Sequence, residues 1–181
     1  EYHKVKVIYV PCLLDGNDGI FNMSYYDLLP GLDLTVFASY YEPWGYTPLE
    51  SVAFGVPTIT TDKAGFGLWV KKESKKSDSI SNGVAVVNRT DFNFDEVASR
   101  IENEVVSFSK MKDADVAKIS EKAKTFADKA SWDKFIASYV EAYDKALSKG
   151  VKKSAAKKAP SAKQTTETAE KPKRRSCAKK K

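Results

Sequence analysis

The sequence has one histidine, His3, and two cysteines, Cys12 and Cys177, far apart in the chain. A lone imidazole argues against a histidine-built metal site or a Ser-His-Asp triad within this chain. Two distant cysteines, one beside a strand-like stretch and one in a polar tail, exclude a disulfide framework and a Cys-x-x-Cys centre. No apolar run approaches the ~18–20 residues of a membrane span, and nothing reads as a signal peptide. A soluble chain of a reducing cytoplasm, without membrane contact, is the expectation. Internal repeats are also missing. The chain opens at Glu1 without an initiator methionine and enters the strand-like stretch Val5 to Val10 at once. That start reads as a fold entered part-way.

What is present suits one domain. The length is 181 residues and 42% of them are hydrophobic, enough for a core. The net charge of +6 divides unevenly: 13 of the 30 Lys/Arg and only two of the 24 Asp/Glu lie from Lys149 onward. That segment therefore carries +11 and residues 1–148 carry −5. A mildly acidic body, 1–148, is followed by a Lys/Ala/Ser/Thr-rich tail, 149–181. The tail has almost no large apolar residues and is expected to be disordered. Its cations can make weak, non-specific contact with nucleic acid. The acidic body has no basic patch interleaved with aromatics, so nucleic-acid binding is at most accessory.

Strand and helix signals alternate along the body. VKVIYV (5–10) reads as a β-branched strand ending at Pro11, and CLLDGNDG as a turn-rich loop. Ser24 is placed to N-cap a short helix through Leu29, closed by Pro30-Gly31. LTVF (34–37), PTITT (57–61) and GVAVV (83–87) read as strands. Thr47-Pro48-Leu49-Glu50 reads as a capping box, with Thr47 as N-cap, Pro48 at N1 and Glu50 at N3 of a helix ending near Gly55. Val97, Ile101, Val105 and Phe108 share one face of a helix. A second helix is expected over 113–128 and a third over 131–149. The third has a broad apolar face of Trp132, Phe135, Ile136, Tyr139, Val140, Tyr143 and Leu147. The alternation predicts an α/β fold with a parallel sheet and helices on its faces.

The informative stretch is Ser39 to Gly67, SYYEPWGYTPLESVAFGVPTITTDKAGFG. It reads as strand end, tight loop, helix, strand and loop. Glu42 falls at the carboxyl end of a strand, and Glu50 in the first turn of the next helix. Pro43 and Gly45 keep the two off a single helix. The loop must fold back, so that Gly45, Tyr46 and Thr47 present backbone N–H groups at the helix N-terminus. Free N–H groups and the positive dipole end favour phosphate there, and open α/β sheets bind ligands at their strands' carboxyl ends. A phosphate cradle between two carboxylates suits a sugar nucleotide. Structural roles compete for the same residues. Glu50 can serve a capping box, Tyr40, Tyr41, Trp44 and Tyr46 can be core aromatics, and Gly65 and Gly67 can permit a turn.

The run from Glu42 to Glu50, Glu-Pro-Trp-Gly-Tyr-Thr-Pro-x-Glu, resembles the Glu-x7-Glu motif of retaining GT-B glycosyltransferases. With Ser39-Tyr40-Tyr41 before it and Thr60-Thr61-Asp62-x-Ala64-Gly65-Phe66-Gly67 after it, it is similar to glycogen synthases of the animal and fungal type (glycosyltransferase family 3) and their bacterial relatives. The resemblance covers roughly Val5 to Leu147. It implies the Rossmann-like, C-terminal donor-binding part of a GT-B enzyme whose N-terminal domain is missing from this chain. It implies transfer of glucose from UDP-glucose to the non-reducing end of an α-1,4-glucan, with retention and without a metal ion or other cofactor. By position, Glu42 matches the glutamate at the reacting sugar and Glu50 the one at the ribose. Trp44 and Gly45 lie within the motif, Tyr46 and Thr47 match residues at the phosphates, and Tyr25 matches an aromatic stacked on uracil, with Tyr26 the fallback. Other retaining GT-B enzymes, using ADP-glucose or another sugar nucleotide, share the motif's chemistry. Two features depart from the family pattern, and the second makes a bacterial-type, unregulated enzyme the better match. The family's diphosphate-holding Arg and Lys are not in this chain, and the stretch from Met111 to Trp132 contains no arginine where eukaryotic members carry a regulatory cluster.

Overall fold

The computed structural model describes residues 5–156, with side chains described through Lys149. Three short parallel strands form a sheet in the order β1 (Thr35–Phe37), β2 (Thr58–Thr61), β3 (Val84–Val87). Two crossovers join them, α2 (Tyr46–Ala53) between β1 and β2 and α3 (Gly65–Glu73) between β2 and β3. Ahead of β1 lie α1 (Tyr25–Leu28) and a 3-10 turn at Leu29–Gly31. After β3 come α4 (Phe94–Ser109), α5 (Asp113–Lys129) and α6 (Trp132–Ala156). No helix among the described residues is long and apolar enough to cross a membrane.

Every residue of β2 and β3 is buried, as expected of parallel strands covered on both faces. Side-chain alternation divides the core in two. Val84 and Val86 point with Val52 of α2, Phe66 and Val70 of α3, and Ala123 and Phe126 of α5. Ala85 and Val87 point the other way with Ile59, Val97 and Phe108 of α4, and Ile119 of α5. The α/β sheet with helices on both faces is thus present, and α5 contributes to both clusters.

The buried strands are rich in threonine, and their hydroxyls are used. Thr35 Oγ1 lies 2.6 Å from Ser51 Oγ and 2.9 Å from Thr58 Oγ1, and Ser51 and Thr58 donate to the Val56 carbonyl. This network ties α2 to β1 and β2. A buried charge has an equally local account. Glu104 on α4 accepts from the Ile80 N–H at 2.9 Å and pairs with Arg100 at 2.9 Å, so the carboxylate is satisfied where the apolar period of the helix meets the sheet.

Four expectations need correction. Val5–Val10 is not a strand: Val5, Val7 and Tyr9 are 93, 86 and 79% exposed. A β-branched run becomes a strand only when another strand takes its backbone groups, and β1 pairs with β2 alone among the described residues. The stretch after β2, read as a loop, forms the nine-residue helix α3. Its glycines hid it from a propensity argument. Glu50 is not at N3, because α2 starts at Tyr46 with Gly45 as N-cap and no side-chain cap. The third C-terminal helix runs to Ala156 rather than ending near Lys149. The remainder of the expected tail, 157–181, lies outside the described residues.

The chain divides into two units that part inside α6, between Ile136 and Ala137. In the second unit Tyr139 and Tyr143 pack ring to ring at 6.4 Å, and Lys145 pairs with Glu141 one turn away.

Candidate donor site at the carboxyl ends of the strands

After Phe37 the chain leaves β1 and crosses the carboxyl end of the sheet. Ser39 to Trp44 is irregular in secondary structure but heavily tied. Thr61 Oγ1 donates to the Ser39 carbonyl at 2.7 Å. Glu42 N–H donates to Lys63 O at 3.0 Å, and Glu42 O accepts from Gly65 N–H at 3.1 Å, a one-residue parallel bridge. Trp44 O accepts from Phe66 N–H at 2.6 Å. The loop therefore zips its backbone onto the start of α3. This requires a glycine at 65, where a Cβ would stand 2.3 Å from the Pro43 carbonyl oxygen. Glu42 is held by main-chain bonds while its carboxylate has no hydrogen bond or ion pair among the described residues.

Gly45 then turns the chain into α2 with φ of 99°, a left-handed conformation that only glycine adopts at little cost. The glycine takes the N-cap position and draws Tyr46 and Thr47 into the first turn, two residues earlier than the capping-box pattern predicts. Pro48 lies at the third helical position, where its missing N–H costs no helical bond. The N–H groups of Gly45, Tyr46 and Thr47 meet no acceptor among the described residues. The Tyr46 side chain is 69% exposed and Thr47 is exposed.

Glu50, freed of a capping role, faces α1. Its Oε1 accepts from the Tyr26 hydroxyl at 2.9 Å. Tyr26 stacks on Phe54, centroids 6.1 Å apart, and meets Tyr25 edge-on at 5.3 Å. That hydrogen bond, with the negative charge behind it, raises the Tyr26 pKa above the ordinary 10.0. Burial raises that of Tyr25, assisted by the Glu50 charge, and its buried hydroxyl has no hydrogen-bond partner among the described residues. The structure thus brings Tyr25, Tyr26 and Glu50 together at one side of α2, with Glu42 and Gly45 at its N-terminus. Trp44 stands apart: its ring packs against Phe66, Trp69 and Phe135 at 5.6–6.2 Å, anchoring the loop to α3 and to the first turn of α6.

Sequence reasoning overlooked the residues behind the loop. Asp62 follows β2, and its two oxygens accept from Arg89 N–H at 2.9 Å and Asn88 Nδ2 at 2.8 Å. Asn88 and Arg89 follow β3 directly. The rule that singled out the end of β1, ligand sites at the carboxyl ends of strands, applied equally to the ends of β2 and β3.

Comparison with known proteins bears on this arrangement. The pattern that defines the glycogen synthase family matches residues 1–179. The chain belongs to the glycogen synthase family. It is 32% identical over 147 residues to glycogen [starch] synthase isoform 2 of Saccharomyces cerevisiae, covering 81% of this chain and 21% of that protein. It is 31% identical over 144 residues to glycogen [starch] synthase of Neurospora crassa, covering 80% and 20%. Against the liver glycogen [starch] synthase of Mus musculus identity is 41% over 86 residues, 48% of this chain and 12% of that protein. The resemblance drawn from Glu42 to Glu50 and its flanks is therefore that of the family. The chain spans about a fifth of the length of the yeast and Neurospora relatives. Within the family's sequence, this fragment contributes a β-α-β-α-β sheet and the loop at its carboxyl end.

Proposed function

We propose that this chain is the donor-binding part of a retaining glucosyltransferase that moves glucose from UDP-glucose to the non-reducing end of an α-1,4-glucan in the cytoplasm. The observation that carries the reading is the placement of two carboxylates around one helix start. Glu42 lies on a rigid backbone at the N-terminus of α2, Glu50 lies beside Tyr25 and Tyr26, and the free N–H groups of Gly45, Tyr46 and Thr47 lie between. Amides and the helix dipole take the diphosphate. Glu50 accepts from a ribose hydroxyl with the oxygen that Tyr26 leaves free, and Tyr25 supplies the surface for the base. Glu42, without a competing cation, faces the sugar as positive charge develops at its anomeric carbon.

In this reading the rest of the polypeptide supplies the second wall of the cleft, the cations for the diphosphate and the glucan surface. Residues 1–181 alone then lack turnover, since positioning of two substrates provides much of the rate. No metal is required, because helix N-terminus and side-chain cations neutralise the diphosphate. The test is steady-state turnover of UDP-glucose with glycogen by the full-length protein, with ADP-glucose as competing donor and with EDTA. Turnover that survives EDTA and prefers the uridine donor supports the reading. Turnover by residues 1–181 alone, or its abolition by EDTA, contradicts it.

A further inference from the structure

Arg89 is 5% exposed at the carboxyl end of β3. Among the described residues it makes no ion pair and its buried Nε has no hydrogen-bond partner. Its Nη1 donates to the Ala38 carbonyl at 2.9 Å, and its guanidinium carbon lies 3.5 Å from the centre of the Tyr40 ring. Its own N–H is held by Asp62. A buried cation without a carboxylate costs stability, and a packed fold would be better served by an apolar side chain. Everything Arg89 grips instead lies on the segment leading from β1 to Glu42. Ala38 is the first residue after β1, and Tyr40 stands two residues before Glu42.

We propose that Arg89 is a positioning residue for the sugar-side carboxylate: it clamps Ala38 and Tyr40 from β3 so that the backbone delivers Glu42 to the reacting centre. This rests on the reading of Glu42 given above. The planar guanidinium suits the task, because it can donate in its plane while its face covers an aromatic ring. The other end of the loop is fixed separately, by the Lys63 and Gly65 bonds to Glu42. Without the clamp, the hydrogen bonds left to the segment between Phe37 and Glu42 among the described residues are the Thr61 bond to the Ser39 carbonyl and the local turn from Ser39 N–H to the Phe37 carbonyl. The contacts on the ribose side, Glu50 with Tyr26, belong to α1 and α2 and do not pass through Arg89. Loss of the clamp should therefore be felt in the chemical step rather than in donor binding.

The experiment compares Arg89→Met, Arg89→Lys, Tyr40→Ala and Glu42→Gln in the full-length protein, by melting curve, steady-state kinetics and chymotryptic cleavage after Tyr40 or Tyr41. Methionine fills the site without the charge. Arg89→Met should lower kcat by about 10- to 100-fold, the cost of a small misplacement at a reacting centre. The KM for UDP-glucose should stay near its original value, and cleavage in the loop should quicken. Arg89→Lys should keep an intermediate kcat, since it retains one donor but not the plane. Tyr40→Ala should resemble Arg89→Met, and the double variant should lose no more than either alone. A normal kcat in Arg89→Met beside a low one in Glu42→Gln overturns the positioning role and leaves the donor-site reading intact. A normal kcat in both overturns both. A rise in KM without loss of kcat also overturns it. Should Arg89→Met fail to fold, Tyr40→Ala decides: full turnover there refutes the clamp.

Discussion

Replacing each motif glutamate by glutamine separates chemistry from binding and both from stability. Glu42 contributes to the fold through its backbone, with Lys63 and Gly65 as partners, and its carboxylate has no partner among the described residues. Glu42→Gln keeps both main-chain bonds and the side-chain volume, so the melting temperature should stay within about 1–2 °C, as for a change of a few tenths of a kcal/mol. If the carboxylate opposes positive charge on the sugar, its loss removes a contact present mainly in the transition state. One such electrostatic contact is worth roughly 1.4–4 kcal/mol, an expected fall in kcat of about ten- to a thousand-fold. Glu50→Gln should behave differently. Glutamine still offers an oxygen to the Tyr26 hydroxyl, so the fold is retained. The weaker ribose acceptor is lost alike from ground and transition states, which raises KM for UDP-glucose with little change in kcat. The assay is a melting curve with initial rates over a donor concentration series for full-length protein. Undiminished turnover by Glu42→Gln, or inactivation that only follows unfolding, refutes the assignment of Glu42 to the reacting centre.

Further outcomes follow from the same geometry. Gly65→Ala would place a Cβ 2.3 Å from the Pro43 carbonyl, so the loop must part from α3; a destabilisation of about 1–3 kcal/mol should appear in urea unfolding, together with loss of turnover. Tyr26 should titrate above the ordinary 10.0 because its proton is held by Glu50, and Glu50→Gln should move its ultraviolet titration down toward that value. Glucose-6-phosphate should not activate the full-length protein. Met111 to Trp132 contains no arginine, the side chain best shaped for bidentate phosphate binding, and a several-fold rise in rate would contradict this.

Much of the fold was legible because local and global preferences agree. The strands at Thr35, Thr58 and Val84, the N-cap at Ser24, Gly55 at the end of α2, and the helices α4 and α5 all follow from period, capping and turn residues that act over a few positions. The motif from Glu42 to Glu50 was legible as well, since Pro43 and Gly45 forbid regular structure directly after Glu42 and compel a loop between the strand and the helix that carries Glu50.

Tertiary contacts decided the rest. Val5–Val10 has strand composition but no partner strand among the described residues, and pairing is a non-local event that composition cannot supply. The start of α2 moved to Gly45 because a left-handed glycine and the loop's bonds to Lys63, Gly65 and Phe66 overrode the Thr-Pro-x-Glu pattern, releasing Glu50 to meet Tyr26. The helix α3 forms despite two glycines because those glycines let the backbone of α3 approach the preceding loop and strand. Arg89 lies 47 residues beyond Glu42 in the numbering, and only the parallel pairing of β1, β2 and β3 carries it under the loop that Glu42 occupies. Chain-local chemistry thus determined where the motif from Glu42 to Glu50 leaves the sheet; the sheet, by bringing distant strand ends to one edge, decided what holds it in place.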